Sequence, residues 1–152
     1  MAYTVGEMAK KLGLSASTLR YYDKEGLLPF VERSDGGARL FSEKDFGWLK
    51  VIECLKRSGL SIKEIKSFTE MAQRGDASLA ERLELFTARR AAVRGMIEEL
   101  RETLAVLDFK CWYYGQAVSD GTEERVRSMT PAEVPEKYRA VREKMGSLHE
   151  DA

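Results

Sequence analysis

The chain has 152 residues, 43% of them hydrophobic and 33% charged, a size that fits one ordinary domain or a small domain with an extension. Twenty-five Lys and Arg balance 25 Asp and Glu, which excludes a whole-chain basic footprint, so any nucleic-acid surface must be local. No run is apolar enough to span a bilayer, no charged-then-apolar leader opens the chain, and the two cysteines, Cys54 and Cys111, suit a reducing compartment, so a cytoplasmic location is expected.

The first elements are short and clearly capped. Thr4 is followed three residues on by Glu7, a capping box that opens a helix through Leu12, which Gly13 ends. Ser15 caps a second helix running to about Glu25, closed by Gly26. Two short helices joined by a tight glycine turn make a helix-turn-helix. Phe30-Val31-Glu32-Arg33 and Ala38-Arg39-Leu40-Phe41 flank the turn signal Ser34-Asp35-Gly36-Gly37, which predicts a small β-hairpin, or wing.

Helices resume at Ser42, with Asp45 at its third position, and run to about Ser58. Ser61 and Glu64 open another, from Ile62 to about Arg74. The loop Gly75-Asp76-Ala77-Ser78 ends in a further cap. From Leu79 to about Phe109 the chain lacks proline, and its apolar seam reads Leu79, Leu83, Phe86, Val93, Ile97, Leu100, Leu104, Leu107. Those steps alternate four and three, interrupted only at Arg90, which is coiled-coil spacing. Such a helix far exceeds the average of about 11–12 residues. It cannot bury its stripe alone, and the remaining residues offer no second long amphipathic helix, so a homodimer is expected. Beyond Lys110-Cys111-Trp112-Tyr113-Tyr114, Thr130-Pro131-Ala132-Glu133 reads as a helix start. Residues 136–146 read as a short amphipathic helix with Tyr138, Val141 and Met145 on one side, and the last few residues should fray.

The fold class is therefore mainly α. A winged helix-turn-helix DNA-binding domain occupies residues 1–75, a dimerisation helix (a coiled coil in the dimer) residues 76–110, and a short C-terminal effector or packing segment residues 111–152.

On the second helix, Leu19 should face the core and leave Ser17, Thr18, Arg20 and Tyr21 or Tyr22 near the end that a recognition helix presents to DNA. Small hydroxyl residues let a helix sink into the major groove. Arg20 can bridge guanine or phosphate, and tyrosine hydroxyls can donate to phosphates. Arg33 and Arg39 flank the wing turn and could grip the flanking backbone. One of the two tyrosines could equally be core.

The run Tyr3-Thr4-Val5-Gly6-Glu7 and the run Leu19-Arg20-Tyr21-Tyr22-Asp23-Lys24-Glu25-Gly26-Leu27-Leu28-Pro29 resemble the signature of the MerR family of bacterial transcription activators. The wing Gly37-Ala38-Arg39-Leu40-Phe41 and the block Leu55-Lys56-Arg57-Ser58-Gly59-Leu60-Ser61 are similar as well, so the resemblance covers about residues 2–108. It implies an antiparallel coiled-coil dimer on a pseudo-palindromic operator in double-stranded promoter DNA. It also implies effector-driven distortion that realigns promoter elements for RNA polymerase. By matching position it assigns DNA contacts to Thr18, Arg20, Tyr21 and Tyr22, and phosphate contacts to Arg39 and Lys56. Leu40 stands where many relatives carry an aromatic residue.

The signal is less directly written. Metal-responsive relatives use cysteines around the end of the dimer helix, often with one at its start. Here Ser78 stands at the start and Cys111 has no second thiol behind it, so no metal site is expected. A tail of some forty residues does not enclose the pocket of drug-binding relatives. Cys54 has Lys50 one turn before it and Arg57 and Ser58 one turn after, and nearby cations favour thiolate. Val51-Ile52-Glu53-Cys54-Leu55-Lys56 resembles the branch of the family that responds to aldehyde and nitrosative stress, which makes Cys54 the candidate sensor thiol. The alternative is a buried structural cysteine. Cys111, Trp112, Tyr113 and Tyr114 could form a pocket for a small organic molecule, or pack the helix end.

An enzyme is not expected. The single histidine, His149, lies in a polar tail, and the chain has no CxxC and no phosphate or dinucleotide loop. No cofactor is implied. A winged-helix architectural protein without an inducer is the remaining alternative.

Overall fold

A capped turn starts each short helix of the first half of this computed structural model, which describes residues 2–149. Helix α1 spans Val5–Leu12. Thr4 accepts the Glu7 backbone N–H, and the Glu7 carboxylate accepts the Thr4 N–H at 2.8 Å. Gly13, at φ 69°, takes the left-handed turn that brings Ser15 round to cap α2, Ala16–Lys24. The same reciprocal capping opens α3 (Glu43–Arg57, Ser42 with Asp45) and α4 (Ile62–Gln73, Ser61 with Glu64).

The wing is smaller than its sequence suggests. Strand β1 is Glu32–Arg33 and β2 is Arg39–Leu40, paired antiparallel with Glu32 opposite Leu40 and Arg33 opposite Arg39. Phe30 and Val31 stay outside the ladder. Phe41 leaves it too, exchanging backbone hydrogen bonds with Tyr3 at 2.7 and 2.9 Å, which ties the wing to the start of the chain.

By packing, the chain divides into two compact units, Met1–Val93 and Arg94–Ala152, and the long helix α5, Leu79–Asp120, contributes to both. The N-terminal unit closes over Met8, Leu19, Tyr22, Leu27, Phe41, Leu49, Ile52, Leu55 and Ile65, all essentially solvent-free. Aromatic contacts extend that core. Trp48 stacks on Phe68 at 5.2 Å, with Phe30 edge-on to Trp48 and Phe86 of α5 edge-on to Phe68. Trp48 also donates its indole N–H to the Leu27 carbonyl at 3.0 Å.

Two expectations about α5 change at its ends. Ser78 does not cap it; from a 3-10 turn, Gly75–Ser78, its buried hydroxyl donates back to the carbonyls of Met71 and Gly75 and so closes the end of α4. At the other end the helix runs through Trp112, Tyr113 and Tyr114 to Asp120, past the expected stop at Phe109. Gly115 costs about 1 kcal/mol in a helix interior. Burial of Phe109 and Ala117 on neighbouring turns offsets that cost, and the helix ends only where Gly121 takes φ 72°.

The C-terminal unit supplies what the sequence did not promise, a partner for part of α5 from within the chain. A short helix α6, Glu124–Ser128, and α7, Glu136–His149, fold against the second half of α5 around buried Phe109, Ala117, Val126 and Val134. Tyr138, Val141 and Met145 form the half-buried face expected of α7. Thr130 and Glu133 do make their capping bonds, the Thr130 N–H donating to Glu133 at 2.6 Å, but they close a turn rather than open a helix. Pro135 restricts Val134 to an extended conformation, so the helix restarts after it. The terminal residues expected to fray lie outside the described residues.

Candidate nucleic-acid interface

The first turn of α2 is a cluster of hydroxyls. Ser15 accepts the Thr18 backbone N–H at 3.1 Å, and its oxygen lies 2.8 Å from both the Ser17 and Thr18 hydroxyls. No acidic residue sits in that turn, so the positive end of the helix faces outward without a local counter-charge. Ser17 is exposed and Thr18 half-buried. Next along the same surface come Arg20, exposed and with no ion pair among the described residues, and Tyr21, 46% exposed. Leu19 and Tyr22 point the other way, three residues apart on the buried face.

Tyr22 corrects the sequence reading. Its side chain is fully buried, so it belongs to the core and not to the DNA-facing surface. It does work indirectly. The phenol donates to Glu53 of α3 at 2.5 Å and accepts from the Lys56 ammonium at 3.1 Å. Burial, and then the bond to Glu53, push the phenol above its ordinary pKa, and the bond to Tyr22 holds Lys56 above the usual lysine value. Near neutral pH the tyrosine is therefore neutral and Lys56 is charged, with its head fixed beside the recognition helix.

The wing is tied to that helix by a residue the sequence reading passed over. Asp23 of α2 accepts with one carboxylate oxygen from Arg33 at 2.8 Å, from the Arg39 Nε at 2.7 Å and from an Arg39 terminal nitrogen. Arg33 and Arg39 are cross-strand partners, and like charges directly opposite repel. Asp23 offsets that repulsion and sets the wing's distance from α2. Three residues of one surface, Arg33, Arg39 and Asp23, thus become a single unit. The spacing of 16 residues between Asp23 and Arg39 carried no local signal for it.

Cys54 is exposed, which overturns the buried structural alternative. It lies on α3 between Glu53, which holds Tyr22, and Lys56, which Tyr22 holds. Lys50, one turn earlier, spends its ammonium on the Phe46 ring, 4.8 Å from the centroid. Arg57 donates weakly to the Glu53 carbonyl at 3.4 Å.

Of the second cysteine and its aromatic neighbours, Trp112 and Tyr113 are half-buried in the C-terminal unit. Trp112 meets Tyr138 at 5.5 Å and Phe109 at 6.0 Å, and the Tyr113 hydroxyl donates to Glu123 at 2.8 Å. Cys111 and Tyr114 are exposed on the outer side of the helix. Along α5 the expected seam is largely open: Leu79 and Leu83 in the N-terminal unit, and Leu100, Leu104 and Leu107 in the C-terminal unit, are each more than half exposed. No helix among the described residues is long and apolar enough to cross a membrane.

The chain is similar to known proteins along most of its length. A model of MerR HTH family regulatory proteins matches residues 3–72, and a model of the MerR DNA-binding region matches residues 47–108. An uncharacterised HTH-type transcriptional regulator of Haemophilus influenzae is 43% identical over 136 residues, 90% of this chain and 98% of the relative. The HTH-type regulator AdhR of Bacillus subtilis is 40% identical over 78 residues, 51% of this chain and 56% of its own. Among solved structures, HiNmlR, a MerR family regulator lacking the sensor domain and bound to promoter DNA, superposes with a TM-score of 0.77 at 44% identity. That match covers 82% of this chain and 99% of the other. A MerR family regulator from Bacillus thuringiensis gives 0.68 at 38% identity, over 73% and 97%.

Proposed function

The chain belongs to the MerR family of helix-turn-helix regulatory proteins and is a DNA-binding transcriptional regulator rather than an enzyme, and from that premise we propose that it works as a homodimer that distorts promoter DNA when an electrophile or oxidant reacts at Cys54. Ser17, Thr18, Arg20 and Tyr21 read the major groove, while Arg33, Arg39 and Lys56 hold flanking phosphates. The open leucine seam of α5 supports pairing with a second copy. Each leucine gains about 1.5–3 kcal/mol when fully buried. Residues 1–75 then carry DNA binding, residues 76–110 pairing, and residues 111–152 packing of the helix end. RNA polymerase at the realigned promoter is the downstream partner, and the cytoplasm the compartment.

One observation carries the choice of signal. The accessible Cys54 sulfur sits on the helix whose Glu53 and Lys56 grip Tyr22 of the recognition helix, so an adduct there changes the surface that meets DNA without any separate sensor. HiNmlR, which lacks a sensor domain, is in keeping with a signal read inside the DNA-binding unit. The test is a reporter on the protein's own promoter, challenged with aldehydes, diamide, nitrosothiols, metals and dyes in wild type, Cys54→Ser and Cys111→Ser. Loss of induction in Cys54→Ser alone is the expected result. A Cys54→Ser protein that answers every inducer as wild type does removes the thiol switch, and a response lost only in Cys111→Ser moves the site to the end of α5.

A further inference from the structure

We propose that the C-terminal unit binds a small organic monocarboxylate between Arg139 and Arg142 of α7 and the apolar wall made by Pro131 and Val134. A cavity of about 400 Å³ is lined by these four residues and Glu143. That volume lies within the range of about 300–1,000 Å³ common for small-molecule sites.

Both guanidinium groups are held in place by backbone and left short of anions. Arg139 donates to the Val134 carbonyl at 2.9 Å and to the Ala132 carbonyl at 3.2 Å, and Arg142 donates to the Arg127 carbonyl at 3.3 Å. Among the described residues neither arginine forms a salt bridge. The NH1 nitrogen of Arg142 is sealed from solvent and meets no acceptor. An oxygen of a bound ligand cannot reach that sealed nitrogen, so a carboxylate in the cavity is held by the net positive charge of the lining.

Glu133, outside the lining, is held by its own turn. Glu133 is held below its ordinary pKa first by the Thr130 backbone N–H and hydroxyl, and only then by Arg125 and Arg142. Two cations against Glu143 leave one net positive charge in the lining, which matches a monoanion. Pro131 and Val134 offer no polar side chain, so the far side of the cavity suits a hydrocarbon body. The anchored arginines make the site pre-organised, which lowers the ordering cost of binding. None of this depends on Cys54 or on the DNA surface.

The experiment is an amide NMR titration of the full chain with benzoate, with benzylamine and inorganic phosphate as comparisons. Saturable shifts at Val134, Arg139, Arg142 and Glu143 with benzoate, and none with benzylamine, are expected. Arg142→Gln removes one of the two positive charges of the lining and weakens benzoate about tenfold. Glu143→Gln removes the opposing carboxylate and tightens it. Absence of shifts with benzoate, equal shifts with benzylamine, or unchanged affinity in both variants would overturn the site. Phosphate binding tighter than benzoate would overturn the hydrocarbon half of the assignment.

Discussion

Tyr22 and Lys56 meet at 3.1 Å, a contact that joins the buried face of the recognition helix to the cation at the end of the following helix. The tyrosine never reaches solvent, yet it decides where the lysine proposed to hold a phosphate sits. Tyr22→Phe keeps the ring in the core and deletes the hydroxyl that Lys56 and Glu53 share. A hydrogen bond to a charged group contributes about 1.5–3 kcal/mol, so operator affinity should fall roughly tenfold. The fold should survive, as judged by circular dichroism. Unchanged affinity would show that Lys56 needs no support from Tyr22.

Asp23 neutralises two arginines that the wing's register sets against each other. Asp23→Asn keeps the shape of the side chain and loses its charge, leaving Arg33 and Arg39 to repel across the hairpin. Faster amide exchange at Arg33, Ser34 and Arg39 is expected, with a loss of stability of about 1–2 kcal/mol. Wild-type exchange at those positions would mean that the turn alone holds the wing.

Arg20 is exposed, and its side chain forms no hydrogen bond or ion pair among the described residues. Arg20→Ala should therefore leave the melting temperature unchanged and weaken operator binding by about 1–3 kcal/mol. A salt titration separates its two possible targets. Loss of a phosphate contact lowers the slope of log K against log salt by about 0.9, whereas loss of a base contact leaves the slope alone and relaxes sequence preference.

Leu104 is 56% exposed on the open seam of α5. In a dimer Leu104→Lys places a charge in the interface twice, and the lost burial alone weakens pairing by about a hundredfold. Analytical ultracentrifugation should show monomer at concentrations where the wild type is paired. A dimer of undiminished affinity would move the interface to another face.

Glu64 sits in the capping box of α4, and its carboxyl is held below the ordinary value first by the Ser61 backbone N–H and then by the Ser61 hydroxyl. A depressed carboxylate contributes stability that is fully present above its unfolded pKa and is lost as pH falls through the folded one. Glu64→Gln should be less stable than wild type near neutral pH and converge with it in acid. Parallel acid-denaturation curves would show that the cap adds nothing beyond its neutral hydrogen bonds.

The element order of the N-terminal unit was readable from the chain because capping is local. Thr4 with Glu7, Ser42 with Asp45 and Ser61 with Glu64 each lie three residues apart, and each pair makes the bonds its spacing announces. The α5 seam was readable for the same reason, since heptad spacing needs no partner to be seen. What escaped was every relation between distant residues. Nothing local assigns Asp23 to Arg39, or Tyr22 to Lys56 across 34 positions.

By itself the sequence determined where most helices begin, which face of each is apolar, and that a winged module carries arginines on its two strands. Only tertiary structure decided which tyrosine is core, that both wing arginines share one aspartate, and that α5 continues to Asp120 under α6 and α7. Caps and periodicity act over one or two turns, so the chain states them outright. Burial and ion pairing depend on which surfaces meet, and that is settled when the whole unit closes.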